Sequence, residues 1–277
     1  MNVRDLLAAA AERIGGGDAR LAAELLLAHA LGVTRARLYA WPEHEPDPAQ
    51  RDAFERLVAA RARGEPIAYL TGHREFWSLD LAVTPDVLIP RHETELLVEL
   101  ALERIPRDRA MRVADLGTGS GAIALAIARE RPLARVTATD ASAPALDVAR
   151  HNAERLGIGN VVFAAGDWFA AVGGVHFDLI VSNPPYIVAG DAHLAEGDLR
   201  FEPKSALASG PDGLDAIRQI ITGASAHLAD EGALLLEHGF DQSASVRALL
   251  EAAGFEGVAS VRDAAGHERV TLGAKRA

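Results

Sequence analysis

The sequence predicts an α/β fold in which a doubly wound, mostly parallel sheet follows a small bundle of helices. From Met111 onward, short apolar runs alternate with helical patterns, which is typical of parallel strands with helices on both faces. Residues 1 to about 63 show helical periodicity only. The C-terminal tail contains two extended runs that flank Ala265-Gly266. These features predict a Rossmann-like sheet of seven strands that ends in an antiparallel hairpin.

The N-terminal region is predicted to contain helices and no strand. The segment DARLAAELLLAHALG begins at Asp18, the expected N-cap, and ends at Gly32, the expected C-cap. One face of this helix is predicted to carry the residues at helical spacing: Leu21, Leu25, Ala28 and Leu31. Another helix is expected from Pro48 to Gly64. We therefore predict a helical domain over residues 1–63, a linking hairpin over residues 64–95 and an α/β domain over residues 96–277.

The α/β region is predicted to alternate strands with helices. Its strands are expected at MRVADLG, ARVTATD, NVVFAAGD, FDLIVSNPP and GALLLEHG. Its helices are expected at GAIALAIARER, APALDVARHNAERLG, GLDAIRQIITGASAHLAD and SASVRALLEAAG. Ligands of such sheets bind beyond the carboxyl ends of the strands. The residues that follow each strand are therefore the candidates for a functional site.

The composition excludes several classes of protein. The 277 residues are 49 % hydrophobic and 24 % charged, as in soluble globular proteins. The absence of cysteine excludes disulfides and thiolate metal sites, and the ten histidines form no H-E-x-x-H cluster, so we predict no metal. The net charge of −11 argues against a nucleic-acid partner. With no signal-peptide core and no apolar run of about 18 residues, we expect a cytoplasmic protein without membrane contact.

The glycine-rich loop after the first of these strands, VADLGTGSGAIAL, is predicted to bind a cofactor. Glycines can take a positive φ and allow a ligand to approach the backbone, and the following helix offers free N–H groups. The loop consists of Gly117, Thr118, Gly119, Ser120 and Gly121. It also fits a relaxed dinucleotide fingerprint. The loop alone therefore leaves a nicotinamide cofactor and S-adenosylmethionine as alternatives.

Two further strand ends carry residues that suit an adenosine. Asp140 ends the next strand, where its carboxylate can accept hydrogen bonds from both ribose hydroxyls. Asp167-Trp168 follows the third strand, where a flat ring and a carboxylate could flank an adenine. The alternative for Trp168 is an ordinary aromatic of the core.

The segment DLIVSNPPYIV decides between the two cofactors. Neither Pro184 nor Pro185 can donate to a strand ladder, so the chain leaves the buried strand in a rigid kink. The Asn183 side-chain carbonyl and the Pro184 main-chain carbonyl can each accept one N–H of a planar NH2 group, and the Tyr186 ring can lie against that group. Such a loop suits methylation of a planar amino group and is unneeded for hydride transfer. A simple strand-ending turn remains the alternative.

DLGTGSG followed by NPPY resembles the class I S-adenosylmethionine-dependent methyltransferases. Other segments resemble the release factor glutamine methyltransferases of the PrmC or HemK type: PIAYLTGHREFWSLDLAVTPDVLIPRHETELLV, FEPKSALASGPDGLDAIRQII, DAAGHERV and the helical segment DARLAAELLLAHALG. The resemblance covers practically the whole chain. The family usually has proline where this chain has His92, which predicts a less rigid start of the following helix.

The resemblance implies a reaction and a set of contacts. The reaction is methylation at N5 of the glutamine in the Gly-Gly-Gln motif of bacterial class 1 peptide chain release factors. The implied cofactor contacts are Gly117, Thr118, Gly119, Ser120, Gly121, Asp140, Trp168 and Asn183. The implied contacts with the glutamine are Asn183, Pro184, Pro185 and Tyr186, of which Asn183, Pro184 and Tyr186 are expected to act in catalysis. The helical domain is expected to recognise the release factor, and the enzyme is expected to be a monomer.

Four other functions compete with this interpretation. A sister enzyme that methylates glutamine in a ribosomal protein would share the motif. An adenine N6-methyltransferase of DNA or RNA would need a basic track and a pocket for a flipped base, which the acidic chain does not suggest. A nicotinamide dehydrogenase would leave Asn183 to Tyr186 unexplained, and a non-catalytic binding module would leave the whole set of site residues without a role.

Overall fold

The structure, a computed structural model, describes residues 1–276 and contains two compact units. The first unit comprises Met1–His73 and the short segment Ala195–Phe201. The second unit comprises Arg74–Leu194 and, among the described residues, 202–276. A segment from the second half of the sequence thus belongs to the N-terminal unit.

The first unit is helical. Its helices are α1 (Val3–Ile14), α2 (Ala19–Leu31), α3 (Arg35–Ala40), α4 (Pro48–Ala62) and α5 (Ile67–Thr71). Asp47 and Gln50 form a capping box at the start of α4. Gly32 ends α2 in the left-handed conformation, as the sequence predicts, whereas Asp18 makes no side-chain capping bond. The helices pack around a core that includes Leu6, Leu7, Leu26, Leu27, Phe54 and Val58.

The buried face of α2 differs from the predicted one. Of the predicted residues, Ala28 is buried and Leu31 packs against the core, but Leu21 is 41 % exposed. The other buried apolar residues near the middle of the helix are Ala22, Ala23, Leu26 and Leu27. Because apolar residues surround almost the whole of α2, their spacing does not define which face is buried. The buried face of α2 is determined by the helices that pack against it. Glu24 is also buried, where it accepts hydrogen bonds from Arg20, Arg35 and Tyr39.

The second unit is an α/β structure. Its first elements are the hairpin of β1 (His73–Phe76) and β2 (Leu79–Ala82), followed by α6 (Glu95–Arg104); the first residue of β1, His73, is counted with the first unit. Its large sheet consists of β3 (Arg112–Leu116), β4 (Arg135–Asp140), β5 (Val161–Ala165), β6 (Phe177–Ser182), β7 (Leu228–Glu237), β8 (Phe255–Arg262) and β9 (Glu268–Lys275). The remaining helices are α7 (Ala122–Glu130), α8 (Ala143–Leu156), α9 (Asp215–His227) and α10 (Ser243–Ala252).

The sheet confirms the predicted fold class. Its seven strands have the order β5-β4-β3-β6-β7-β9-β8. Strands β3 to β7 pair in parallel, and β9 pairs antiparallel with both β7 and β8. The carboxyl ends of β3, β4, β5 and β6 therefore lie at one edge of the sheet, where the chain continues into the predicted site residues.

Apolar clusters cover both faces of this sheet. Leu179 belongs to one cluster with Leu125 and Ile127, whereas its neighbour Ile180 belongs to the other with Ile217. Successive residues of β6 thus face opposite sides and are both buried, as expected for a central parallel strand. This burial holds the end of β6 in place.

One predicted boundary is wrong. The sequence predicts that the helix containing Asp215 continues through Asp230, but α9 ends at His227 and β7 begins at Leu228. The reason is a long-range pairing, because Leu228 lies opposite Phe177 of β6. Helical periodicity cannot reveal such a pairing.

Candidate active site

A cleft of about 310 Å³ lies at the carboxyl edge of the parallel strands. Four strand ends contribute to its lining. The residues concerned are Gly117 and Gly119 after β3, Asp140 at the end of β4, Trp168 after β5, and Asn183 and Pro185 after β6. Side chains from four separate parts of the sequence therefore meet in one cavity.

The glycine loop forms one wall of the cleft. Gly117, Gly119 and Gly121 have φ values of +75°, +54° and +85°, in the left-handed region that glycine adopts without strain. A Cβ added at Gly119 would meet no atom within 4 Å, so the backbone there is open to a ligand. Gly121 is the N-cap of α7, and an added Cβ would lie 3.1 Å from Leu125. Gly121 therefore serves close packing of the helix.

Thr118 and Ser120, the other two residues of the loop, are buried and do not line the cleft. The Thr118 hydroxyl donates to Asp115 Oδ2 at 2.6 Å, and the Ala124 N–H donates to the same oxygen at 3.1 Å. Burial raises the pKa of Asp115 to about 7, against the effect of these two bonds. Asp115 thus connects the glycine loop, through Thr118, to the first turn of α7, through Ala124.

Asn152 of α8 fixes the loop from a second direction. Its Nδ2 donates to the Ser120 carbonyl at 2.9 Å and to the Ala82 carbonyl at 2.9 Å, while its Oδ1 accepts the Ala82 N–H at 2.7 Å. Asn152 is fully buried. A single amide therefore joins β2, α8 and the glycine loop.

Asp140 presents a carboxylate to the cleft. Its Oδ2 accepts the Gly119 N–H at 2.9 Å and its Oδ1 accepts the Ser142 N–H at 2.8 Å. A carboxylate offers about four acceptor positions. Each oxygen therefore keeps capacity for one further donor, as a ribose diol would require.

Trp168 lies against the glycine loop. Its ring is 3.4 Å from the position that a Cβ on Gly117 would occupy, and its Nε1 donates to Gln219 Oε1 at 2.8 Å. Its φ of +44° is unusual for a residue with a large side chain. The half-buried ring borders the cleft and also contacts the apolar cluster on that face of the sheet.

The segment Asn183 to Tyr186 is divided between the cleft and the core. Asn183 and Pro185 line the cleft, whereas Pro184 is buried beside it. Tyr186 packs against the apolar cluster, and its hydroxyl lies 3.4 Å from Glu237 Oε1. Its predicted stacking on a planar substrate group stays a prediction.

Sequence reasoning missed two further walls of the cleft. They are Asp86, Val87 and Leu88, and Pro203, Ser205 and Ala206. The buried carboxylate of Glu202 joins these two segments, because it accepts the Ile89 N–H at 3.2 Å and a hydrogen bond from Arg91. Both segments lie within stretches that resemble the methyltransferase family, which was the only signal available.

The residues of this cleft fit S-adenosylmethionine. The open backbone at Gly119 can approach the methionine part of the ligand, the Asp140 carboxylate suits its ribose, and Trp168 offers a flat apolar surface for its adenine. Among residues 1–276, no group of three or more His, Asp or Glu side chains is arranged to hold a metal ion. No helix in the described part of the chain is long and apolar enough to cross a membrane.

Comparison with known proteins identifies related families. A model of the PrmC N-terminal domain matches residues 5–72, and a model of the methyltransferase small domain matches residues 93–199. The release factor glutamine methyltransferase of Xylella fastidiosa strain Temecula1 is 56 % identical over 268 residues, which cover 97 % of this chain and 96 % of that protein. The enzyme of the same name from Pseudomonas aeruginosa is 56 % identical over 256 residues, covering 92 % of each chain.

Solved structures share the fold. The Thermus thermophilus 16S rRNA N2 G1207 methyltransferase, in complex with AdoMet and guanosine, aligns with a TM-score of 0.56 at 22 % identity, covering 74 % of this chain and 50 % of that one. A methyltransferase from Pyrococcus furiosus aligns with a TM-score of 0.56 at 20 % identity, covering 80 % of this chain and all of that one. At these identities the likeness shows the fold alone.

Proposed function

This chain belongs to the release factor glutamine methyltransferase family, and on that premise we propose that its substrate is the glutamine of the Gly-Gly-Gln motif in class 1 peptide chain release factors. It is an S-adenosylmethionine-dependent protein glutamine methyltransferase. The methylated atom is proposed to be N5, the side-chain amide nitrogen. Because release factors act on ribosomes, the reaction is placed in the cytoplasm.

One observation carries the proposed chemistry: Asn183 and Pro185 line the same cleft as Gly119 and Asp140. A planar amide bound beside Asn183 would therefore lie next to the place of the cofactor. The amide nitrogen is a weak nucleophile because its lone pair is delocalised, so its orientation matters more than its activation by a base.

The proposed role of the loop is to orient this nitrogen. The Asn183 side-chain oxygen and the Pro184 carbonyl would each accept one N–H of the glutamine, directing its lone pair toward the methyl group. When bound, the cofactor supplies an electrophilic methyl on its sulfonium. A methylated amide nitrogen that still carries two protons is strongly acidic, so it would release one of them to water without a dedicated base. Pro184 and Pro185 hold both acceptors in place before the substrate arrives.

A substrate panel tests this function. Purified enzyme and methyl-labelled S-adenosylmethionine are incubated with a class 1 release factor, the same factor with its Gly-Gly-Gln glutamine changed to glutamate, ribosomal proteins, and adenine-containing DNA. We expect label in the unchanged release factor alone. Label in the ribosomal proteins or the DNA, with none in the release factor, would overturn the proposal.

A further inference from the structure

A chain of buried polar groups lies behind Asn183. Asn183 Nδ2 donates to the hydroxyl oxygen of Thr94 at 3.1 Å. Thr94 also interacts with the carboxylate of Glu237, whose pKa its hydroxyl lowers. The Tyr186 hydroxyl lies 3.4 Å from Oε1 of this carboxylate, and the buried Oε2 has no other hydrogen-bond partner within the described residues. Thr94 and Glu237 are only 4 % and 1 % exposed. We refer to Asn183, Thr94, Glu237 and Tyr186 as the Asn183 relay.

The direction of these hydrogen bonds follows from proton counting. Above pH 7 Glu237 is mostly ionised, and an ionised carboxylate only accepts, so both Thr94 and Tyr186 must then donate to it. The Thr94 hydroxyl has a single proton, and once that proton points at Glu237 its oxygen can only accept from Asn183. The amide of Asn183 must therefore turn its NH2 toward Thr94.

This constraint selects one of two amide orientations. With the nitrogen of Asn183 bound to Thr94, the oxygen is the atom left for the cleft that Asn183 lines. A flipped amide would present N–H groups to the N–H groups of a target amide, and two donors repel. We propose that Thr94 and Glu237 are positioning residues that hold the Asn183 oxygen ready to accept an N–H of the target glutamine. This inference rests on the proposed function.

The surroundings of Glu237 give the relay a pH dependence. Burial, with a smaller contribution from the charge of Glu93, raises the pKa of Glu237 to about 7. Thr94 and Tyr186, through hydrogen bonds, and Arg269, through its charge, lower it. Burial also raises the pKa of Tyr186, so its hydroxyl keeps its proton at neutral pH. When Glu237 becomes protonated it can donate to Thr94, and the direction of the relay is no longer fixed.

Substitution of Thr94 tests the relay. Thr94→Val removes the hydroxyl at nearly constant shape, and Thr94→Ser keeps it. In single-turnover methylation of the release factor with saturating S-adenosylmethionine, we expect Thr94→Val to lower the rate by about 10-fold or more, the scale seen when a pre-organised polar group is lost. Thr94→Ser should restore most of the rate. The Kd of S-adenosylmethionine should be unchanged in both variants.

A double variant, Thr94→Val combined with Asn183→Ala, shows whether Thr94 acts through Asn183. In Asn183→Ala, the further change Thr94→Val should cause no additional loss of rate, because the group that it positions is already absent. The wild-type single-turnover rate should also fall as the pH drops below about 7, and this decline should be absent in Glu237→Gln. A wild-type rate in Thr94→Val, or the same loss in both backgrounds, would overturn the proposal.

A measurement without substrate separates this proposal from the proposed function. The side-chain NH2 protons of Asn183 should exchange with solvent more slowly in the wild type than in Thr94→Val, as measured by NMR. If the release factor is not methylated but the exchange difference is found, the proposed function fails while the orientation of Asn183 stands. Equal exchange in the two proteins would contradict the orientation itself.

Discussion

Asn183 is anchored by a buried strand and at the same time exposed to the cleft. It follows the buried strand β6, whose last residue Ser182 is fully buried and donates to the Leu116 carbonyl at 2.6 Å. It also lines the cleft. A side chain with this support loses little conformational entropy when a substrate binds, and this is the physical basis of pre-organisation.

Asn183→Ala should therefore affect chemistry more than cofactor binding. We expect the single-turnover rate to fall by roughly 100-fold or more, since one acceptor for the target amide is lost. The affinity for S-adenosylmethionine should fall much less, because Asp140 and the glycine loop are unchanged. Asn183→Asp keeps an acceptor oxygen and should retain partial activity. A near-normal single-turnover rate in Asn183→Ala would mean that the segment is only a turn.

Asp115 should make the stability of the fold depend on pH. Burial raises its pKa to about 7, so its contribution to stability is complete below the unfolded pKa of about 4 and is lost as the pH rises from there through about 7. In that window the loss approaches about 1.4 kcal/mol per pH unit. Glu237 also has a raised pKa of about 7 and makes stability depend on pH as well. Because this contribution is the same in the wild type and in an Asp115 variant, it cancels when the two proteins are compared.

Urea unfolding at pH 5 and pH 8 measures this effect. Relative to the wild type, Asp115→Asn should gain about 2.5 kcal/mol between the two pH values. The control is Asp147→Asn on the exposed face of α8, where Asp147 pairs with Arg150 at the surface; it should show no comparable gain. The same relative stability of Asp115→Asn at both pH values would contradict a pKa of about 7 for Asp115.

Sequence reasoning could find the site residues that follow strands but not those that support them. Gly119, Asp140 and Asn183 stand at strand ends within recognisable patterns, so a parallel sheet brings them together by rule. Thr94 and Glu237 are 89 and 51 residues away from the side chains that they contact, Asn183 and Tyr186. No periodicity encodes such pairings. They depend on the packing of α6 and β7 beside β6.

At the scale of elements, the turn before α6 keeps the backbone conformation that the usual proline at position 92 would need, although this chain has histidine there. Arg91 has extended backbone angles, φ −102° and ψ 144°, and His92 is the first residue of a short 3-10 helix that ends at Thr94. These are the conformations that a residue before proline and a proline at the first helical position require. The His92 side chain is exposed and lies 3.8 Å from Glu95.

His92→Pro should accordingly stabilise the protein. The substitution restricts the unfolded chain and fits the folded backbone, so we expect a gain of about 0.4–1 kcal/mol in the free energy of unfolding. The lost pair with Glu95 is exposed and contributes little. Urea unfolding at neutral pH provides the measurement, with His92→Ala as the control for loss of the ring. A destabilised His92→Pro would show that the turn does not tolerate proline.

The order of elements was predictable because each strand and helix of the α/β region carries its own periodicity. The predicted fold class is confirmed in its parallel strands, its antiparallel hairpin and its N-terminal helices. Two details failed for different reasons. The start of β7 depends on its pairing with β6, and the buried face of α2 depends on its neighbours because that helix is apolar almost all round.

At the scale of the whole molecule, recognition of a protein substrate needs a larger surface than the contacts with one glutamine side chain. A glutamine side chain is too small to distinguish one protein substrate from another, and specific protein interfaces bury about 800 Å² per partner. We therefore propose that the helical unit recognises the body of the release factor. The unit includes Ala195–Phe201, where Asp198 pairs with Arg61 at 3.0 Å.

A chain that begins at Arg74 tests this role. It should still bind S-adenosylmethionine, which also serves as the control for folding, but its kcat/KM on intact release factor should fall at least about 10-fold with the lost interface. On a short Gly-Gly-Gln peptide, the shortened and full-length enzymes should be equal. Equal kcat/KM on the intact factor would remove the helical unit from substrate recognition.

Tandem mass spectrometry of the release factor, after incubation with the full-length enzyme and S-adenosylmethionine, tests the central claim most directly. We predict a single added methyl group on the Gly-Gly-Gln peptide, located by fragmentation on the glutamine side chain at N5. Asn183→Ala enzyme under the same conditions should leave that peptide largely unmodified. A methyl group on another residue, or an unmodified peptide with active wild-type enzyme, would contradict the assignment.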